Sequence, residues 1–228
     1  MKKINHYILK GEFELLSGMR IGGSDDVLQI GGVDLTCIKD PGTGRPYIPG
    51  SSIKGRMRSG LEKRLGRLGR DGKGHTDPCG CSDFQCPVCL IFGPHMNTKH
   101  NLGPTRIIIR DAHLVGDGSF TIENKTESVN NRATGAAAHP RTVERVATGA
   151  RFAFEVAIQE YDADSRFKYK DSDNKEVSGS DALKEVVDHA LCEMEDMGIG
   201  AGTGKGYGQI KIHCGEFVKS ERRRMRTA

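Results

Sequence analysis

The residues best suited to chemistry in this 228-residue sequence are four cysteines and one histidine crowded into a short segment. They are His75, Cys79, Cys81, Cys86 and Cys89. The spacing Cys86-Pro87-Val88-Cys89 is a knuckle that can place two thiolates on one tetrahedral ion. The chain has seven cysteines, an odd number, and the clustering of four of them favours metal binding over disulfides.

These five candidates compete for the four positions of a zinc ion. The Cys79-Gly80-Cys81 spacing is tight for two ligands, so the preferred set is His75, Cys81, Cys86 and Cys89. Four protein ligands leave no position open for a substrate, and the predicted zinc is therefore structural rather than catalytic. Unligated buried thiols are the alternative interpretation.

Two segments could bind an anion. Residues 51–58 place hydroxyls and backbone N–H groups at a predicted helix start, with Lys54 and Arg58 one turn apart. A helix with a solvated basic edge would give the same pattern. Residues 198–208 alternate glycine with other residues but fit neither nucleotide-binding glycine motif. This run either connects two elements or lets a polynucleotide backbone approach closely, with Lys205 as its charge.

The distribution of charge points to phosphate groups more strongly than the total does. The formal net charge is only +4, yet arginine and lysine crowd residues 54–70 and 219–226. Aromatic residues make up 6 % of the chain and tryptophan is absent, so base stacking is poorly supported. Contacts to a nucleic-acid backbone are the expected mode, as when a guide strand reads the sequence by base pairing.

One carboxylate is a candidate for catalysis. Asp34 follows Gly31-Gly32-Val33, where it could hold a divalent ion or take a proton from a hydroxyl such as the 2′-hydroxyl of RNA. Loop aspartates usually form turns, so the residue by itself does not establish an enzyme. No histidine, serine or cysteine stands in a motif for a nucleophile.

Hydrophobic periodicity predicts the elements that would position these residues. Strands are expected at the first alternating segment through Leu15 and at residues 106–115, 152–158 and 207–213. Helices are expected from a Ser51 or Ser52 cap and over residues 181–197, and a protruding hairpin over residues 120–146. This order predicts an α+β fold with a ferredoxin-like (RRM-like) core. One domain is expected over residues 1–228, with insertions at about 66–104 and about 118–147.

The sequence shows no feature of a membrane protein. No apolar run is long enough to cross a bilayer, and Lys3, Asn5 and His6 interrupt the apolar residues at the start of the chain. A cytoplasmic protein that does not bind membranes is the expectation.

Several separated motifs together resemble the RAMP superfamily of CRISPR proteins, in particular the backbone subunits of type III-A (Csm) effector complexes. Residues 21–23 and 31–41 resemble the first loop of that family, and residues 49–58 resemble its guide-RNA-binding helix start. Residues 91–93, 131–132 and 140–145 are similar to its thumb hairpin and flanks. Residues 200–208 are similar to its C-terminal glycine loop, so the resemblance runs nearly end to end.

The resemblance implies a function and site roles. Several copies of the chain would line up along a guide (CRISPR) RNA beside other Csm-type subunits, and each thumb would wedge into the guide–target duplex. Asp34 would support cleavage of the target RNA with a divalent cation such as Mg²⁺ or Mn²⁺, through attack by the neighbouring 2′-hydroxyl. The implied RNA-binding residues are Arg20, Lys54, Arg56, Arg58, Asn131, Arg132, Arg141, Arg145 and Lys205. Relatives often carry histidine where this chain has Arg20, and phosphate contact is the role that the resemblance implies for Arg20.

Three alternatives stay open. The chain could be a non-catalytic RNA-binding scaffold in which Asp34 only shapes its loop, or the equivalent type III-B backbone subunit. It could also be a guide-precursor endonuclease of the same superfamily, although those enzymes usually rely on histidine, tyrosine or lysine.

Overall fold

A computed structural model describes residues 1–22, 35–70, 74, 76–116 and 122–220, with the side chains of residues 70, 138 and 139 left out. Its largest element is a seven-stranded antiparallel sheet in the order β12-β1-β9-β6-β2, with β13 on β1 and β5 on β9. These strands are β1 (Lys3–Leu15), β2 (Tyr47–Ile48), β5 (Ile107–Ile109), β6 (Ala112–Leu114), β9 (Arg151–Tyr161), β12 (Ile210–Cys214) and β13 (Val218–Lys219).

The remaining strands form three separate pairs, and all described helices are short or medium in length. The pairs are β3 (Gly69–Arg70) with β4 (Thr76–Asp77), β7 (Ile122–Asn130) with β8 (Ala137–Val146), and β10 (Lys168–Lys170) with β11 (Glu176–Ser178). The helices are α1 (Gly50–Arg64), α2 (Pro87–Phe92) and α3 (Gly179–Met197). No helix in the described ranges has an apolar stretch that could cross a membrane.

The centre of the sheet is the ladder between β1 and β9, which pairs residues from Lys3 with Tyr161 to Glu14 with Arg151. The alternation predicted for both strands is confirmed, because Leu9, Phe13, Phe152 and Val156 are buried on one face. The rings of Phe13 and Phe154 stack with centroids 4.2 Å apart. The helices α1 and α3 contact each other, and their apolar stripes join the same core.

The two long helices confirm the predicted stripes, with changes at their ends. The start of α1 lies at Gly50, so Ser51 and Ser52 occupy the first turn and neither caps it. The stripe of α1 ends at Leu61, because Leu65 is only partly buried and Leu68 is 40 % exposed beyond the helix. The start of α3 is two residues earlier than predicted, at Gly179.

The predicted strand at residues 106–115 is two strands with a break at Arg110 and Asp111. The break frees Asp111 to accept the N–H of Gly50 at 2.7 Å, which caps α1 from a distant part of the chain. Gly50 is required at this contact, since a Cβ there would lie 2.5 Å from the carbonyl oxygen of Ile109. The strand predicted over residues 207–213 begins at Ile210 as β12, and neither β13 nor the β10–β11 pair was predicted.

A buried ion pair joins β5 to the turn after β9. Arg106 and Asp164 are both fully buried, and their closest atoms are 2.8 Å apart. Arg106 also donates to the carbonyl oxygens of Leu102, at 2.7 Å, and Pro104. Asp164 accepts the N–H of Tyr161 at 2.8 Å. Because both charges are fully hydrogen-bonded, removing one partner would leave the other desolvated and unpaired.

We therefore expect Asp164→Ala to lower the free energy of unfolding by about 3–5 kcal/mol, measured by urea denaturation. The control is Glu176→Ala, which breaks the exposed pair with Lys168 and should cost about 1 kcal/mol or less. Equal losses in the two variants would contradict this account of the buried pair.

Candidate nucleic-acid interface and metal centre

A groove of about 430 Å³ runs between the first half of α1 and the glycine run. Its lining consists mainly of small residues: Ile21, Gly22, Ser52, Gly55, Arg56, Ser59, Ile199, Gly200 and Ala201. Gly200 has a φ of +87°, and a Cβ there would lie 2.4 Å from the carbonyl oxygen of Arg20. That carbonyl accepts the N–H of Ala201 at 2.8 Å, so the glycine run is fixed against the chain before the first loop.

Arg56 holds the glycine run to α1. Its Nε donates to the carbonyl oxygen of Gly198 at 2.6 Å, and its terminal nitrogen donates to Met197 and, at 3.0 Å, to the hydroxyl of Thr203. The first two acceptors are carbonyls at the C-terminal end of α3, where a cation is favourable. The guanidinium predicted to bind RNA thus already has three acceptors within the chain.

Arg58 makes a second attachment, to the cysteine-rich segment. Its guanidinium donates to Glu62 at 2.9 Å, to the carbonyl oxygen of Gly93 at 2.9 Å and to that of Cys79 at 2.7 Å. Glu62 completes the contact by accepting the N–H of Cys79 at 2.9 Å. Arg58 and its partner Glu62 are mostly buried, at 17 % and 3 % side-chain exposure.

Lys54 differs from both arginines. It does not line the groove, and no acceptor for its ammonium group occurs in the part of the chain that the structure describes. Partial burial, together with the nearby charge of Arg58, holds the pKa of Lys54 below its ordinary value. The three predicted cations of α1 therefore do not converge on one point, and only Lys54 keeps its donors available.

The four thiols of Cys79, Cys81, Cys86 and Cys89 form one cluster, with all sulfur atoms within 4.8 Å of one another. The sulfur of Cys79 lies 3.6 Å from those of Cys81 and Cys89 and 3.8 Å from that of Cys86. Tetrahedral bonds of about 2.3 Å to zinc separate two sulfurs by about 3.8 Å, so the cluster has the dimensions of a four-thiolate metal site. This group could hold a metal ion.

The cluster differs from the preferred ligand set in including Cys79. The Cys79-Gly80-Cys81 spacing does not keep the two sulfurs apart, since they lie 3.6 Å from each other. A Cβ at Gly80 would lie 2.6 Å from the carbonyl oxygen of His95, so only glycine fits at this close approach. His75 lies outside the described residues. A hydrogen bond with Cys89 lowers the pKa of Cys86 to about 5, and burial raises that of Cys79 to about 11.

The β7–β8 hairpin carries four further predicted RNA-binding residues: Asn131, Arg132, Arg141 and Arg145. Its base is held by backbone bonds between Met19 and Val146, at 2.8 and 2.9 Å, and by the 2.8 Å bond from the N–H of Glu144 to Leu35. At its tip, the Asn131 side chain accepts the N–H groups of Ala133 and Thr134. Asn131 therefore shapes the turn, while the neighbouring Arg132 is exposed.

Glu127 and Tyr207 join this hairpin to the glycine run. The carboxylate of Glu127 accepts from the Tyr207 hydroxyl, from Arg141 at 3.1 Å and from Lys205 at 3.4 Å. Arg145 pairs with Glu123 at 2.5 Å and lies over the Tyr207 ring at 4.4 Å. Three of the predicted RNA-binding cations are thus engaged at this junction.

Four residues that hold these segments in place were not predicted: Tyr207, Asp111, Glu62 and Glu127. Tyr207 is the one aromatic residue in the glycine run. A large side chain among glycines could have indicated that it makes a specific contact. Asp111 interrupts an apolar strand, which was a signal for a special role. Nothing in the sequence indicated the roles of Glu62 and Glu127, because charged residues at positions that are expected to be exposed are usually solvated.

Asp34, the predicted catalytic residue, lies outside the described residues. The next residue in the chain, Leu35, pairs with Val143 of β8, and its N–H donates to the carbonyl oxygen of Thr142 at 3.3 Å. Arg20 lies beside Gly22, where a Cβ would be 3.0 Å from a guanidinium nitrogen.

Comparison with known proteins gives consistent results over most of the chain. The RAMP superfamily matches residues 12–211. The CRISPR system Cms endoribonuclease Csm3 of Methanothermobacter thermautotrophicus is 37 % identical over 233 residues, covering 93 % of this chain and 85 % of the relative. The protein of the same name from Methanocaldococcus jannaschii is 37 % identical over 211 residues, covering 90 % and 77 %.

Among solved structures, the fold is similar to a chain in the cryo-EM structure of the type III-B Cmr-beta complex bound to cognate target RNA. The TM-score is 0.57 at 20 % identity, covering 94 % of this chain and 61 % of the other. The large antiparallel sheet with its helices is thus a fold shared with that chain. Together with the sequence matches, this shows that the chain belongs to the RAMP superfamily and, within it, to the family of the Csm3 endoribonucleases.

Proposed function

We propose that this chain is a guide-RNA-binding backbone subunit of a type III-A CRISPR effector and that it cleaves the bound target RNA. Relatives with 37 % identity are named as CRISPR system endoribonucleases, which supports both the setting and the activity. Its partners would be a guide RNA, a complementary target RNA, further copies of itself and other Csm-type subunits. These relatives belong to the Csm system, which favours type III-A over type III-B.

The observation that carries RNA binding is Gly55. Glycine inside a helix costs about 1 kcal/mol relative to alanine, so a glycine there calls for a reason. For Gly60 the reason is internal, because a Cβ would lie 2.7 Å from that of Glu193 on α3. A Cβ at Gly55 would meet no described atom within 4 Å, and Gly55 lines the groove. Its small size therefore suits the close approach of an external sugar-phosphate backbone.

In this proposal the cations divide their roles. Lys54 and Arg132 would contact phosphates, since neither has an acceptor among the described residues. Arg56 and Arg58 would act indirectly, by holding the glycine run and the cysteine cluster to α1. Residues 1–228 would form one ferredoxin-like domain, and the β7–β8 hairpin would be the thumb that wedges into the guide–target duplex. The inserted cysteine cluster would hold a structural zinc ion with its four thiols.

Cleavage would depend on Asp34. A bound divalent cation such as Mg²⁺ or Mn²⁺ would neutralise charge that develops on the scissile phosphate. The only cluster of metal-binding side chains in the described residues is made of thiols, so the oxygen ligands for such an ion would be Asp34 and the RNA itself. The neighbouring 2′-hydroxyl would attack the phosphorus and the 5′-oxygen would leave, so that only RNA is cut.

The groove can be tested by Gly55→Leu. We expect the variant to fold with unchanged or higher stability, since leucine favours helices, and to bind guide RNA at least about tenfold more weakly. Thermal unfolding and filter binding would measure the two effects. Lys63→Leu adds the same side chain at the far end of α1 and should leave most of the affinity in place. Normal guide binding by Gly55→Leu would contradict the proposed path of the RNA.

Catalysis can be tested by Asp34→Ala in the assembled complex. We expect guide loading and target binding to persist while the cleavage rate falls by a factor of about 10² or more. Asp40→Asn is a control, because the Asp40 carboxylate accepts hydrogen bonds from Gly42 and Thr43 of its own turn and from no other residue that the structure describes. It should cut at the wild-type rate. A wild-type rate for Asp34→Ala would favour the non-catalytic scaffold. A target with deoxyribose at the cut positions should also resist cleavage.

The metal centre can be tested by elemental analysis. We expect about one zinc ion per chain, lost in Cys86→Ser and retained in Cys192→Ser, whose thiol lies outside the cluster. Removing the ion should lower the melting temperature, since the cluster anchors the segment that Arg58 contacts. Zinc-free wild-type protein with normal stability would contradict the assignment.

A further inference from the structure

The Tyr207 ring contacts two cations that belong to different strands of the hairpin. The Lys125 ammonium on β7 lies 4.5 Å from the centre of the ring, and the Arg145 guanidinium on β8 lies 4.4 Å from it. Tyr207 is 5 % exposed and the Arg145 side chain is mostly buried, so the contact between these two is shielded from water, whereas Lys125 is exposed. Its hydroxyl donates to Glu127. One side chain of the glycine run thus contacts three residues of the hairpin.

Glu127 marks the point where the projecting part of the hairpin touches the rest of the chain. Glu127 is partly buried, whereas residues 124–126 and 128–130 of the same strand are exposed. The register of the two strands shifts directly after it, between Glu127 and Val129. The hydrogen bond from Tyr207, followed by that from Arg141, lowers the pKa of Glu127 to about 2, so the carboxylate stays charged. The strands beyond Glu127 have no second support of this kind among the described residues.

The glycine run that carries Tyr207 is itself held in place by contacts with the rest of the chain. A Cβ at Gly202 would lie 2.9 Å from the Tyr207 ring, and the N–H of Gly208 donates to the carbonyl oxygen of Gly18 at 3.0 Å. Thr203 of the same run accepts from Arg56 of α1 at 3.0 Å. A continuous series of contacts therefore runs from the groove on α1, through Arg56 and the glycine run, to Tyr207 and the hairpin.

We propose that Tyr207 is a positioning residue that fixes the angle between the hairpin and the groove, and with it the place where the hairpin enters the guide–target duplex. The backbone bonds at the base attach the hairpin but leave its projecting strands free to pivot. Tyr207 removes that freedom at a second point. This inference rests on the proposed function, since it assigns the hairpin a role in placing the target for cleavage.

The chain offers a closely matched control. Tyr7 in β1 donates its hydroxyl to Glu160 at 3.1 Å, lies 4.5 Å below the Lys184 ammonium and is 8 % exposed. Tyr7→Phe and Tyr207→Phe therefore remove the same kind of buried bond to a carboxylate, one in the central sheet and one at the hairpin. Tyr207→Leu removes the cation–π contacts as well.

The test compares these variants in the assembled complex with guide and target RNA. For Tyr207→Phe we expect normal guide loading, target affinity within about twofold of wild type and cleavage slowed about tenfold, equivalent to about 1.4 kcal/mol. Cuts should also spread to neighbouring positions. Tyr207→Leu should be slower still, and Tyr7→Phe should cut at the wild-type rate and positions. Hydrogen exchange without target should show faster exchange for β7 and β8 in both Tyr207 variants and not in Tyr7→Phe.

Two results would overturn the inference. One is wild-type cleavage rate and cut positions in both Tyr207 variants. The other is an equal loss in Tyr7→Phe, which would show that any buried tyrosine bond matters through stability alone. A failure of the proposed function looks different, because the wild-type complex would then neither load guide RNA nor cut, while the hydrogen-exchange comparison would still report whether Tyr207 restrains the hairpin.

Discussion

Arg56 and Arg58 leave α1 in different directions, and each donates to carbonyl oxygens of an irregular segment. Arg56 holds the glycine run, which lines the groove and carries Tyr207. Arg58, with Glu62, holds the Cys79 peptide and therefore the cysteine cluster. Both segments are rich in glycine and lack long strands or helices, so they have few backbone bonds of their own. Arg56 thus positions the groove that is proposed to bind RNA, and Arg58 positions the cysteine cluster that is proposed to bind zinc.

Arginine suits this task better than lysine would. Its planar group presents several donors in fixed directions, so one side chain can satisfy carbonyls from separate parts of the chain. Hydrogen bonds from a charged donor contribute about 1.5–3 kcal/mol each, more than bonds between neutral groups. Because α1 is itself packed into the core through Ile53, Met57 and Leu61, it provides a rigid origin for these contacts. The arginine contacts therefore fix the position of a surface that is otherwise irregular.

The elements that could be predicted are those in which neighbours in sequence share one environment. The alternation in β1 and β9 and the stripe of α3 follow from local periodicity, and the structure confirms them. The roles of Arg56, Arg58 and Asp111 could not be predicted, since their acceptors or donors lie far away in sequence. The same limit applies to Cys79, whose sulfur meets those of Cys86 and Cys89 through the tertiary fold of the segment. The resemblance assigned Arg56 and Arg58 to RNA binding, which stays a prediction, whereas the acceptors that they contact within the chain depend on tertiary structure.

The edges of the large sheet have a consequence for self-association. The proposed assembly would bring the sheets of several copies to high local concentration, and open strand edges would then invite uncontrolled pairing between copies. At one edge, β2 has only two residues. At the other, the N–H of Ile212 in β12 donates to Glu195 of α3 at 2.7 Å, and the same carboxylate pairs with Lys211 at 2.7 Å. A strand from another molecule would have to displace this ion pair to extend the sheet. In the proposed assembly this would protect the chain against fibrous aggregation and leave contacts between copies to its other surfaces.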